Sequence, residues 1–231
     1  MTIPRRTFLA GSALATVASA GCLQDTDRTD GNGNGAGEPT TAVTEDPRVD
    51  EPPYEVERPP SDRGAWDALY LCENVPSTGD LSFERLAARR PELLVSTHEP
   101  DGGSVYAVRA LTGVEAVRQA FDTNEGGDDP DGPVDQVDFE RFLVFVVEDA
   151  YGSGSITQHW TRVETTDRGL HLHGCHRQPY EQTDDLAPRH SVLRIERPDD
   201  FEFTRVSLTV DVDRRVHFNS TEGVVRVDDG A

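Results

Sequence analysis

Lysine is absent from this chain of 231 residues, and all 22 basic residues are arginine. Without lysine no Gly-Lys phosphate loop can form, which excludes P-loop nucleotide chemistry. The one Met is residue 1, so a processed chain has no axial methionine for a blue-copper centre. Basic charge is scarce against 43 acidic residues, leaving a net charge of -21. A surface of that sign repels nucleic acid and anionic lipid, and nucleic acid is excluded as a partner. Long apolar runs are also missing. The stretch from Phe8 to Ala20 covers 13 residues, too short for the roughly 20 that a spanning helix needs. The serine of Gly152-Ser153-Gly154-Ser155 lacks the G-x-S-x-G spacing of a nucleophile elbow. A hydrolase would have to assemble Ser153 with His159 or His190 and one of many acids. Trp66, Trp160 and the tyrosines are read as core or rim packing rather than as a binding platform.

What is present begins at the N-terminus. Arg5-Arg6 precede Phe8-Leu9 and an apolar run, with no acid before Asp25, and Ala20-Gly21-Cys22 ends the segment. The order resembles a twin-arginine export signal, and the end resembles a lipobox, with Ser19 at its usual leucine position. The resemblance implies cleavage before Cys22 and a thioether lipid on its sulfur. Removing residues 1–21 takes away two Arg and no acid, so the mature chain carries 20 Arg against 43 acids. At ordinary salt such charge repels itself. At molar salt the Debye length falls to about 3 Å and the repulsion is screened. Acidic excess, absent lysine and a twin-arginine signal together resemble the exported proteins of salt-loving archaea.

Residues 22–61 read as a lipid-anchored flexible tether, Gly-rich at 31–37 and stiffened by Pro52-Pro53 and Pro59-Pro60. Residues 62–229 read as one globular domain. With Cys22 assigned to lipid, Cys72 and Cys175 remain as an even pair in an oxidising compartment, and a disulfide is expected; two buried thiols are the alternative.

The domain is expected to be α+β and β-rich, mostly antiparallel, a sandwich or barrel-like module with one or two short helices. Strands are expected at 66–72, 92–97, 104–110, 141–147, 155–164, 170–175, 190–196, 203–212, 216–218 and 224–227. The run 141–147 is apolar enough for a central strand buried on both faces, and 203–212 alternates with Val206, Leu208, Val210 and Val212 inward. Thr112 and Glu115 form a capping box for a helix whose Val114, Val117 and Phe121 share a face. A second helix is expected over 82–90, ended by Pro91. Residues 124–133 read as an acidic Gly-rich loop.

From Ser104 onward the order of features resembles the PrcB C-terminal-like domain. The elements are a strand, a helix near 114–121, Val137-Asp138-Phe139 leading to Phe142–Val147, the glycine turn Gly152-Ser153-Gly154, a strand with Thr161-Arg162-Val163, and Arg189–Ile195. The likeness spans roughly half the chain. It implies a small β-rich module of exported or lipid-anchored proteins with a role in protein contact, and no catalytic residues.

One constellation could carry chemistry, His171-Leu172-His173-Gly174-Cys175-His176. On a strand, residues two apart share a face at about 7 Å, so His171, His173 and Cys175 project together. With His176 they could bind zinc or copper. Against this, the disulfide claims Cys175, and Leu170 and Leu172 mark the opposite face as core, leaving the histidines in solvent. The sequence thus favours a non-enzymatic module on the extracellular face of the membrane, held by its lipid and binding an envelope protein or ligand. A metal-binding envelope protein is second and a secreted hydrolase third. Replacing Cys22 (Cys22→Ser) is expected to release the protein into the medium on cell fractionation. Undiminished membrane retention would contradict the lipid assignment.

Overall fold

The computed structural model describes residues 42–88, 91–95, 103–121, 134 and 136–228. The export signal, Cys22, the tether up to residue 41 and the acidic loop 124–133 lie outside the described residues. The described strands are β1 (Val49–Asp50), β2 (Phe83–Arg85), β3 (Ser104–Leu111), β4 (Phe142–Ala150), β5 (Thr157–Thr166), β6 (Gly169–Arg177), β7 (Arg189–Glu196), β8 (Phe203–Asp211), β9 (Arg214–Asn219) and β10 (Val225–Val227). Sheet A runs β1-β9-β8-β6-β5 and sheet B runs β10-β3-β4-β7-β2. All the pairings are antiparallel except β6 with β8. Both sheets are open, so the fold is a β-rich sandwich and the barrel-like alternative does not apply.

Alternation builds the core between the sheets. Val206, Leu208 and Val210 of β8 meet Leu143, Phe145 and Val147 of β4, with Leu170, Leu172, Phe218 and Tyr106 around them. The opposite face of β4 is also dry: Val144 and Val146 pack under α1 (Val114–Ala120) through Val117, Ala120 and Phe121. The 141–147 segment is therefore central and buried on both faces, as its unbroken apolar run implies. Val212 departs from the expected period. The ladder of β8 with β9 shifts between Thr209 and Asp211, and Val212 joins the cluster around the disulfide instead.

Several local expectations are overturned by the structure. Over its described residues, 82–88, the segment expected as a second helix is not helical. Phe83–Arg85 pairs with β7, and Leu86 N–H donates to the Val192 carbonyl, which buries Leu86. An edge place on sheet B outweighs the weak helical propensity of that stretch. The capping box is not made either, because Gly113 occupies the N-cap and no side chain caps α1. Residues 66–72, expected as a strand, form turns including the short 3-10 helix Tyr70–Cys72.

The far end of the expected tether belongs to the domain, so its boundary lies earlier than residue 62. Val49 and Asp50 pair with Val216 and Arg215. Asn219 Nδ2 donates to the Val43 carbonyl at 2.7 Å and to Glu45 at 2.8 Å. Tyr54 and Val56 pack with Trp66, Tyr70, Leu71 and Val75 against the disulfide. Burying side chains of that size is worth about 1.5 to 3 kcal/mol each, enough to dock a segment whose prolines already limit its unfolded freedom.

Cys72 and Cys175 form a disulfide with Cα atoms 5.6 Å apart, closing a sequence separation of 103 residues. In the chain-entropy model a loop of that length contributes about 4 to 5 kcal/mol. The double variant Cys72→Ser/Cys175→Ser is expected to lose that stability in denaturant titrations at constant molar salt. A loss below about 1 kcal/mol would mean that packing alone holds the N-terminal segment down.

Candidate metal centre

The outward face of sheet A carries a polar row. His171, His173 and Cys175 alternate on β6 with Leu170, Leu172 and Gly174 facing the core. Gly174 is required there, since a Cβ would stand 2.7 Å from the Trp160 ring. On β8 the same face presents Arg205, Ser207 and Thr209, and register brings His171 opposite Arg205 and His173 opposite Ser207. On β9 it presents Arg215 and His217, with Ser207 opposite His217.

A bulge completes the row from β5. The β5–β6 register shifts between Trp160 and Arg162. Trp160 points inward, so without the extra residue Arg162 and Glu164 would point inward too. The bulge inverts the parity and turns both onto the histidine face, opposite His173 and His171.

These side chains form a connected set. His173 Nε2 meets Glu164 Oε2 at 2.9 Å, and Arg162 Nη2 approaches His173 Nδ1 at 3.4 Å. Arg162 is a donor only, so the His173 proton sits on Nε2 and is donated to Glu164. Arg162 Nε also donates to Glu164 Oε1 at 2.8 Å. The His171 and His173 rings lie 3.9 Å apart between centroids. His171 Nε2 is 2.7 Å from Ser207 Oγ, Ser207 Oγ is 2.8 Å from His217 Nδ1, and His217 Nε2 is 2.9 Å from Asp50 Oδ1. Arg215 grips Asp50 with two bonds, at 2.8 and 2.6 Å.

Contrary to the sequence reading, the histidines are not left in solvent. His173 is buried and His171 half-buried beneath residues 42–76. Burial pushes the His171 imidazolium down to about 2, helped by His173 and Arg205. Burial, then Arg162, pushes His173 down to about 4, with Glu164 opposing. Both rings are neutral at neutral pH, the form that ligates metals. The Asp50 carboxyl is pushed up by partial burial, but Arg215 and His217 outweigh this and hold it below the usual range.

Glu164, His171 and His173 each offer one ligand atom, and these atoms lie within 4.8 Å of one another. Zinc bonds of about 2.0 to 2.2 Å set tetrahedral ligands about 3.4 Å apart. Half-exposed Glu164 can close that difference by rotation. To hold an ion through Nε2, neutral His173 would have to carry its proton on Nδ1 instead, with Arg162 turned aside from that nitrogen, and Glu164 would be shared between the ion and Arg162. Two clefts flank the trio. One of about 300 Å³ is lined by His171, His217, Arg205, Asp50 and Glu45, and one of about 60 Å³ by His173, Ser207, Arg162 and Arg215.

Two residues of the expected metal set fall elsewhere. Cys175 is held in the disulfide. His176 faces the opposite way, into the sandwich, because successive strand residues alternate. It is fully buried there, with Nε2 3.4 Å from Asp149 Oδ2 and its ring against Tyr151. Ser153 Oγ bonds Thr183 Oγ1 and accepts from the Ser155 N–H, contacts that tie it to its own turn rather than to His159 or an acid. Ser207, His217 and Asp50 do have the bonding order Ser–His–acid. Yet Ser207 is buried in mid-strand between β6 and β9, where the ladder occupies its backbone N–H. That leaves no backbone donor beside its Oγ for a tetrahedral oxyanion.

The inward cluster around His176 is structural. Asp149 accepts from Arg189 Nη1 and from Gln158 Nε2, each at 2.6 Å. Burial alone would raise the Asp149 carboxyl, but His176, Arg189 and Gln158 together hold it below its ordinary value. A lowered carboxyl contributes stability that is complete above about pH 4 and is lost as pH falls through the folded value. Replacing it by Asp149→Asn leaves Arg189 without its counter-charge and is expected to cost about 3 kcal/mol. Denaturation midpoints from pH 7 into the acid range should show a smaller acid loss in the variant. An unchanged acid limb would place the sensitivity in other carboxylates.

Among known proteins no family model matches the chain, and neither a curated protein nor a solved structure does.

Proposed function

We propose that the protein is an exported binding module of a salt-adapted archaeon, tethered outside the membrane by lipid on Cys22. Its working part is a mononuclear site for zinc or copper on the outward face of sheet A. His171, His173 and Glu164 are the ligands, and the protein performs no group transfer of its own. The observation that carries this reading is the convergence of two neutral imidazoles and a carboxylate within 4.8 Å. Imidazole and carboxylate together suit zinc and copper(II) better than calcium or magnesium, which take oxygen shells. Three protein ligands leave a position open, and the cleft beside His171 gives a small molecule or a partner's side chain access to it. The reading keeps the resemblance of the second half to the PrcB C-terminal-like domain, with protein contact as the use of that open position.

The test is titration of the chelator-stripped protein with zinc(II) and copper(II) at molar salt with a weakly coordinating anion. One ion per chain is expected, with a stabilisation of about 2.7 kcal/mol at a hundredfold excess over Kd, read as a rise in melting temperature. His171→Ala and His173→Ala should each abolish stoichiometric uptake, and Glu164→Gln should weaken it. Absence of uptake by the unmodified chain, or equal uptake by the His171→Ala/His173→Ala chain, would overturn the reading.

A further inference from the structure

In a chain with 43 acidic residues, one covered cleft is walled by arginine. It is the smaller of the two beside the histidines, about 60 Å³ in volume, between the outward face of sheet A and residues 53–76. Arg162, Arg215, Tyr54, Thr209, Ser207 and His173 line it, and no carboxylate stands among its described lining residues. We propose that this cleft binds one small inorganic anion, chloride in brine, between the guanidinium groups of Arg162 and Arg215. The site needs no metal and stands apart from the reading of His171, His173 and Glu164 as ligands.

Donors left over from the other contacts point to that ligand. Arg162 spends its Nε–H on Glu164 at 2.8 Å, one Nη1–H on the Pro76 carbonyl at 2.8 Å and one Nη2–H toward His173 at 3.4 Å. A guanidinium has five N–H donors, so one remains on each terminal nitrogen. Arg215 spends its Nε–H and one Nη2–H on Asp50, and both Nη1 donors remain. Glu164 and Asp50 hold the Nε sides of the two groups and lie outside the lining. The Arg162 and Arg215 side chains are only 14% and 16% exposed, so bulk water reaches few of the remaining donors. Covered N–H groups without an acceptor are costly. Tyr54 and Thr209 hydrogen-bond each other through their hydroxyls. Whichever donates, the pair keeps one further O–H proton for an acceptor in the cleft. Burial pushes the Tyr54 phenol up, and Thr209, then Arg215 and Arg162, oppose it; both cations act at this hydroxyl.

Size narrows the ligand. One water needs about 10 to 15 Å³ of such space, so the cleft holds a halide with a water or two and excludes a phosphate ester or an amino acid. Chloride is the small anion that molar brine supplies, and even a weak site is filled there. Its donors come from β5, β8 and β9 and from Tyr54 in the segment laid over them. An anion here therefore ties that segment to the sheet. Salt then stabilises the fold in two ways, by screening exposed acids and by filling this site. Screening depends on ionic strength, whereas filling depends on which anion is present.

The test uses the full chain, stripped of metal by chelator, at constant molar total salt. Sodium methanesulfonate, whose anion is too bulky for the cleft, is exchanged stepwise for sodium chloride. The 35Cl resonance should broaden with a component that saturates at one site per chain, and the denaturation midpoint should rise with it. Crystals of the same chain in sodium bromide should show an anomalous peak within hydrogen-bond reach of Arg162 and Arg215. Arg162→Gln should weaken chloride binding by about tenfold or more, the effect of losing a hydrogen bond to a charge, and remove the bromide peak. The double variant Tyr54→Phe/Thr209→Val should weaken it by about tenfold. Absence of either the saturable component or the bromide peak in the unmodified chain would overturn the proposal, even if a variant fails to fold. So would undiminished chloride affinity in a folded Arg162→Gln chain. Because no metal is present, zinc or copper uptake is decided separately from this result.

Discussion

The covering of sheet A's outward face by residues 42–76 is the constraint on which the candidate site depends. One face of the sheet is the core of the sandwich, and the other would ordinarily meet water. Here strand β1, the aromatic cluster of Tyr54, Trp66 and Tyr70, and the disulfide lay a further piece of chain over it. The cover divides the face in two. Over Cys175 it is apolar and dry. Over His171, His173, Ser207 and His217 it is polar, and it leaves clefts on either side. Without the cover the imidazoles of His171 and His173 would be solvated, free to take a proton near neutral pH and free to rotate. With it they are neutral and oriented. Fold stability and site chemistry therefore share one element, and that element is held at one end by a covalent bond.

The electrostatics of the site oppose those of the whole chain. The protein is strongly acidic, but the histidine face is rich in arginine. Arg162 serves Glu164, Arg205 faces Glu45, and Arg215 serves Asp50. Each carboxylate that enters the covered region brings its own guanidinium, because a partly desolvated charge without a partner is costly. Molar salt screens the repulsion among exposed acids over a few ångströms but reaches these covered pairs much less. Surface charge and site charge thus answer to different conditions. The first responds to the bulk salt concentration. The second keeps a few side chains in defined protonation states.

Much of the sandwich can be read from periodicity. The alternation of Val206, Leu208 and Val210, the unbroken run through β4, and the His171/His173 face on β6 all appear as expected, since each depends on a residue and its immediate neighbours. The failures share a cause. Ser82–Arg90 has the pattern of a helix, but an open edge on sheet B captures Phe83–Arg85. Val212 leaves its period at a bulge, and a second bulge brings Arg162 and Glu164 to the histidines. A bulge inverts every later side chain on its strand, and nothing in a single sequence marks it. His217 did carry a local signal, because Arg215, His217 and Asn219 alternate with Val216 and Phe218. That signal gains meaning only once β9 is known to lie beside β8.

Sequence by itself determined the charge, the missing lysine, the pairing available to Cys72 and Cys175, the strand-rich character of the domain and the shared face of two histidines. These are properties of composition or of spacing along one chain. Tertiary structure alone decided that Glu164, rather than Cys175 or His176, stands with those histidines. It alone decided that Asp50, from a stretch that reads as linker, closes the chain through His217 and Ser207. The physical reason is distance along the sequence. Asp50 and His217 are 167 residues apart, and only sheet register and bulge parity bring such positions within hydrogen-bond reach.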